Sequence, residues 1–149
     1  MIQTLILVTK DRQILLGLKK RGFGMNRWNG FGGKMEPGET VEEAAKREVF
    51  EEIGLSISKT EEVGIINFSW TNKDLKIEMH VFKVTDFAGQ PEESEEMKPQ
   101  WFDLDKIPYK QMWPDDPFWL PLFLEGKKFT ARFLFGDKDV IIEHEVNTK

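Results

Sequence analysis

No cysteine occurs among the 149 residues. That excludes a disulfide scaffold, a thiolate zinc site and a cysteine nucleophile, and it fits a reducing compartment. Histidine is limited to His80 and His144, neither with metal-ligating company, so both read as structural. Basic residues are outnumbered by acidic ones, 21 to 26, for a formal net charge of -5. A chain with that balance does not hold a polyanionic duplex by charge alone. No apolar run reaches the ~18 residues that a membrane-spanning helix needs. The short run from Ile2 to Val8 lacks the basic start and small-residue cleavage site of a signal peptide. The expected residence is the cytosol, with the nucleus or mitochondrion as alternatives.

What is present is apolar and aromatic. Twelve Phe and five Trp are too much apolar material to stay unburied, which excludes a disordered chain. The length allows a core without covalent staples, and with no repeats or low-complexity linkers, 1–149 is expected to form one domain.

Thr4 to Val8 is β-branched and apolar, predicting a strand buried on both faces. Asp11-Arg12 predicts a turn, with Gln13 to Leu18 as hairpin partner. A loop with five glycines between Gly22 and Gly33 follows. Its spacing is not that of a phosphate-binding P-loop. Thr40 and Glu43 form a T-x-x-E capping box, so a helix starts near Val41 and ends at about Ile53, with Gly54 as its stop. Glu62 to Trp70 and Leu75 to Thr85 read as a hairpin. Phe87 to Pro99 reads as an acidic loop, Trp101-Phe102 as a short strand, and Ile107 to Pro117 as a proline-containing loop. Phe118 to Leu124 predicts a second helix. Thr130 to Phe135 and Val140 to Glu145 predict final strands about a Gly136-Asp137 turn. The fold class is α/β (α+β), a mixed β-sheet between helices.

The first helix carries its acidic residues oddly. With Val41 at zero and about 100° per residue, Ala45, Val49 and Ile53 lie at about 40°, 80° and 120°, and Ala44 near 300°. Glu48 and Glu52 fall inside this core-facing stripe, at about 340° and 20°, and Glu51 on its border near 280°. Charges in a buried sector are costly unless paired or metal-bound. Glu48, Glu51 and Glu52, at i, i+3 and i+4, share a face and repel one another. A solvated acidic helix would be the plain alternative. A divalent cation explains the arrangement better, and oxygen-only ligands favour Mg²⁺ or Mn²⁺ over Zn²⁺.

The 23-residue string GKMEPGETVEEAAKREVFEEIGL, Gly33 to Leu55, resembles the signature box of the MutT/Nudix hydrolases at every fixed position. In it Gly32 and Gly33 are expected to let the backbone approach a metal or phosphate. Glu39 is expected to pair with Arg47 and hold the loop against the helix. The resemblance implies the Nudix fold, metal binding by Glu48, Glu51 and Glu52 with the Gly32 carbonyl, and a catalytic role for one of the three glutamates in deprotonating or orienting water. The chemistry implied is substitution at phosphorus.

The resemblance extends beyond the box. LLGLKKRGFG, RWNGFGGK, MHVF, PYKQMWPDDPFW and KKF are similar to segments of the branch of this family that hydrolyses oxidised purine nucleoside triphosphates. It implies hydrolysis of 8-oxo-dGTP, 2-hydroxy-dATP and, as a further candidate, O6-methyl-dGTP to the monophosphate and pyrophosphate. By position, Asn29 matches a residue bonding the base edge. Phe23 and Trp113 match aromatic walls, Thr4 and Phe68 match pocket positions, and Asp115 and Asp116 match a carboxylate pair facing the base. Lys19 matches an entrance lysine, and Glu96 a further acidic residue near the metal. Trp70 and Ile77 depart from the branch, which has a smaller aromatic and a methionine there.

These residue types suit a purine. An indole offers stacking area, and Asn donates and accepts at once. Asp115 and Asp116, adjacent in a dry pocket, should retain a proton near neutral pH, because one ionised carboxylate opposes the second. Two alternatives stay open: a Nudix hydrolase of another nucleoside diphosphate derivative, and a Nudix-fold module that binds nucleotides without turnover. The expected partner is a small-molecule nucleotide, with no nucleic acid duplex and no membrane, and the expected state is a monomer.

Overall fold

A computed structural model describes residues 1–149. Strand β1 (Ile2–Lys10) lies inside a mixed eight-stranded sheet, which is why its apolar run is continuous. Leu5 and Leu7 enter one core, Ile6 and Val8 the other. Asp11 and Arg12 both have positive φ, 51° and 62°, as a two-residue hairpin turn of the I′ kind requires. β2 (Gln13–Lys19) pairs antiparallel with β1 only from Val8↔Leu15 to Lys10↔Gln13. Beyond that point the two strands part. β3 (Trp28–Asn29), inside the expected glycine-rich loop, takes the place of β1 beside Gly17 and Leu18. Only glycine fits at 17, because a Cβ there would come within 2.6 Å of Met97 and Phe31 side-chain atoms.

Helix α1 spans Val41–Ile53, the predicted bounds. Both capping-box bonds form, and Gly54 closes the helix with φ 75°. β4 (Ser56–Ile57) follows, then the expected hairpin of β5 (Glu61–Trp70) and β6 (Lys76–Val84). β6 runs parallel to β1. His80 on β6 is held by Glu62 and Glu78.

The acidic loop expected over Phe87 to Pro99 is corrected. β7 (Phe87–Ala88) pairs with β4, and β8 (Met97–Asp103) pairs with β2 along its whole length. β8 is an edge strand, where Pro99 is tolerated because a missing N–H breaks no ladder. Charge and proline at an edge look like a loop in sequence. A 3-10 turn (Tyr109–Gln111) interrupts the proline-containing loop. Helix α2 (Asp116–Leu124) begins two residues before the expected Phe118, because Pro117 fits a first turn. β9 (Phe129–Phe135) runs parallel to β5, and β10 (Ile141–Thr148) closes the sheet at its other edge. His144 on β10 stacks on Phe133.

The strand order is β10-β9-β5-β6-β1-β2-β3, with β8 also on β2. One core packs α1 against the sheet through Ala45, Val49 and Ile53. The other packs α2 through Trp119, Leu120 and Phe123. Two helices therefore cover opposite faces, as expected. No helix is long and apolar enough to cross a membrane.

Candidate active site

The parting of β1 from β2 opens a cleft of about 820 Å³, counting its mouth. Its walls come from β1, β2, β3, β5, β6, the loop after β2 and the start of α2. Asn29, Asp115, Asp116, Trp113, Phe23, Lys19, Thr4 and Phe68, far apart in the chain, all line it, together with Gly32 and Glu52.

At the acidic end the loop before α1 is tied down by one residue. Arg47 donates from Nε and Nη2 to the two oxygens of Glu39 at 2.7 and 3.0 Å, and from Nη2 to the Lys34 carbonyl at 3.1 Å. The predicted Glu39–Arg47 pair therefore forms. The same guanidinium reaches Glu48 at 2.9 Å and Glu51 at 3.3 Å through Nη1.

Not all three glutamates turn inward: Glu51, expected on the border of the core stripe, lies outside it. Glu52 is buried, Glu48 is half-buried, and Glu51 is exposed. The core stripe centres near Ala45 and Glu52, so the border position of Glu51 falls on the solvent side, next to Arg47. The glycines are also explained differently. A Cβ on Gly32 would lie 1.9 Å from the Thr4 carbonyl oxygen, and one on Gly33 would lie 2.7 Å from the Glu48 carboxylate carbon. The tight approach they permit is to β1 and to Glu48, which brings the loop against the helix. The Gly32 N–H then donates to Glu52 Oε1 at 2.8 Å.

Burial pushes the Glu52 carboxyl up to about 8, against the pull of the Gly32 N–H, with the Glu48 charge adding to the rise. Burial also raises Glu48, opposed by Arg47. Glu96 is exposed and paired loosely with Arg21 at 3.5 Å, yet its charge reaches both Glu48 and Glu52. In donor chemistry this end fits a hard divalent cation: the candidate ligands are carboxylates, and burial holds on Glu52 a proton that a cation would displace. No three carboxylates or histidines close on one point.

At the other end Asp115 and Asp116 are buried. Asp115 Oδ2 accepts the Trp119 indole N–H at 2.7 Å, whereas Asp116 Oδ2 has no partner at all. Burial raises both carboxyls, and for Asp116 the Asp115 charge adds to the rise. Asn29 accepts the Gly30 N–H through Oδ1 at 2.9 Å, and its amide NH₂ makes no bond within the protein. Phe23 packs on Trp113 with ring centres 5.1 Å apart.

Sequence reasoning missed two contributors. Arg27 lines the cleft with its guanidinium 4.1 Å from the centre of the Trp113 ring. Its signal was a lone basic residue in the glycine-rich loop, two positions before Asn29. Trp119 also lines the cleft and bonds Asp115, and its i+4 spacing from Asp115 was the signal. Trp70 and Ile77, the two departures, both line the cleft.

Comparison with known proteins gives a consistent picture. The NUDIX domain matches residues 2–123. The chain is 49% identical over 144 residues to an oxidized purine nucleoside triphosphate hydrolase of Danio rerio, covering 97% of this chain and 92% of that protein. It is 49% identical over 145 residues to the protein of the same name from Mus musculus, covering 97% and 93%. The crystal structure of a MutT protein from Bacillus halodurans matches with a TM-score of 0.88 and 25% identity, over 98% of this chain and 97% of that one.

Proposed function

Because this chain belongs to the NUDIX family, enzymes that act on pyrophosphate bonds with a divalent metal ion, we propose that it hydrolyses oxidised purine (deoxy)nucleoside triphosphates to the monophosphate and pyrophosphate. The observation that carries this reading is the buried Asp115–Asp116 pair, with one carboxylate oxygen unpartnered at the cleft wall. A buried polar atom without a partner is costly, and a ligand edge offering hydrogen bonds relieves that cost. A purine edge does so, and Phe23 and Trp113 supply flat apolar area for its faces.

The chain's residues then divide the work. Asn29 and the aspartate pair orient the base. Lys19 meets the anionic tail at the entrance. Glu48 and Glu52, with Glu51, Glu96 and the Gly32 carbonyl, would hold the metal, which is Mg²⁺ in this reading, with Mn²⁺ as substitute. When bound, such an ion neutralises diphosphate oxygens and acidifies water. Glu52 is the residue best placed to orient or deprotonate the attacking water, being buried in the cleft and fixed by the Gly32 N–H. Residues 1–149 act as one unit and as a monomer, in the cytosol, nucleus or mitochondrion.

Pyrophosphate release with Mg²⁺ tests the reading on 8-oxo-dGTP, 2-hydroxy-dATP, O6-methyl-dGTP, dGTP and a dinucleoside polyphosphate. The oxidised purines should be turned over preferentially. Glu52→Gln should lower kcat by about 10³ while nucleotide affinity stays within a few fold. Preference for the dinucleoside polyphosphate, or normal turnover by Glu52→Gln, would refute the substrate or the catalytic assignment respectively.

A further inference from the structure

One wall of the cleft is held from a distance. Arg27, in the loop between β2 and β3, lies against the Trp113 indole and donates from Nη1 to Asp139 Oδ2 at 3.0 Å. The other oxygen of that carboxylate accepts the Trp70 indole N–H, also at 3.0 Å. Trp70 is buried, so without Asp139 this donor would lack a partner. Phe23 packs on both indoles, at 5.1 Å from Trp113 and edge-on at 6.0 Å from Trp70. Asp139 itself is not a lining residue. It sits on the turn between β9 and β10, 112 positions from Arg27. Both Lys138 and Asp139 have φ of 57°, and aspartate is among the residues that adopt this left-handed conformation readily.

We propose that Asp139 is a positioning residue for base recognition: by bridging Arg27 and Trp70 it holds Trp113 and Phe23 as a preformed wall for a flat purine. This rests on the purine reading above. Association is tighter when the binding surface is ordered before the ligand arrives, since less freedom is lost on binding. Arg27 has a second effect from the same anchored place. Its charge favours the ionised forms of Asp115 and Asp116, so an untethered Arg27 would disturb the base edge as well as the stacking wall.

The test is steady-state hydrolysis of 8-oxo-dGTP by the parent chain, Asp139→Asn, Arg27→Ala and the double variant, with thermal melting of each. Asp139→Asn should raise KM about tenfold, the effect of losing one charge-assisted hydrogen bond, with kcat within about twofold. Its Tm should fall by only a few degrees, because the asparagine Oδ1 can still accept the Trp70 N–H and only the Arg27 bond is lost. A merely structural role would lower Tm in the same way but leave KM unmoved. Arg27→Ala should raise KM similarly, and adding Asp139→Asn to it should change KM by less than about twofold, since the two act as a unit. An Asp139→Asn KM equal to the parent's, or effects that multiply in the double variant, would overturn the tether and leave the functional reading standing. Absence of 8-oxo-dGTP turnover by the parent chain would overturn both.

Discussion

Asp115 and Asp116 stand side by side where water is excluded, and the consequence can be measured by pH. Burial raises both carboxyls, so the folded chain keeps protons there that the unfolded chain has already released. Stability therefore falls as pH rises from about 4 through the raised folded values, and levels off above them. Asp116→Asn mimics the protonated carboxyl. Its Tm relative to the parent should be higher at pH 8 than at pH 4, as followed by circular dichroism. A difference that does not change with pH would mean that Asp116 is ionised throughout. The same substitution should flatten any pH dependence in the rate ratio of 8-oxo-dGTP to 2-hydroxy-dATP, because proton gain and loss turns one partner of the base from donor to acceptor. The adjacency and the retained proton were legible in the sequence. The unpartnered Asp116 oxygen was not, because it depends on what the start of α2 packs against.

Among the elements, α1 and the loop before it are joined by Arg47 and by the Gly32 N–H to Glu52. The helix bounds followed from Thr40, Glu43 and Gly54, which act within a few residues of themselves. Gly54→Ala places a Cβ on a residue at φ 75°, so it should cost about 1 kcal/mol, or roughly 2–4 °C in Tm. Gly32→Ala is a different case: its Cβ would collide with the Thr4 carbonyl, which is backbone and cannot swing aside. It should cost more than about 3 kcal/mol and lower kcat as well, since the Gly32 N–H that fixes Glu52 must move. Equal Tm losses for the two variants would contradict the close approach. β3 and the first half of β8, ahead of the expected Trp101-Phe102 strand, escaped sequence reading for a shared reason. One is two residues long, and the other is a proline-bearing edge, so neither shows an alternation strong enough to stand without its partner β2.

For the molecule as a whole, one sheet serves both cores, and the buried Glu52 couples its stability to pH. Burial holds Glu52 at about 8, so without metal this carboxyl destabilises the fold increasingly as pH rises from the ordinary carboxyl range to that value. A divalent cation must displace the proton to bind, so its affinity grows with pH. Mg²⁺ should therefore raise Tm more at pH 8.5 than at pH 6, and EDTA should abolish the difference, read by differential scanning fluorimetry. A Mg²⁺ shift that is the same at both pH values would remove Glu52 from the metal's ligands.

Local rules in the sequence determined α1, its caps and the Glu39–Arg47 pair, because these contacts join residues a few positions apart. Tertiary structure alone decided that β3 displaces β1 to open the cleft and that Asp139 meets Arg27 across 112 positions. Those contacts join segments whose separation leaves no periodic trace. They exist only once the sheet brings its strands together and burial makes each unpaired polar group costly.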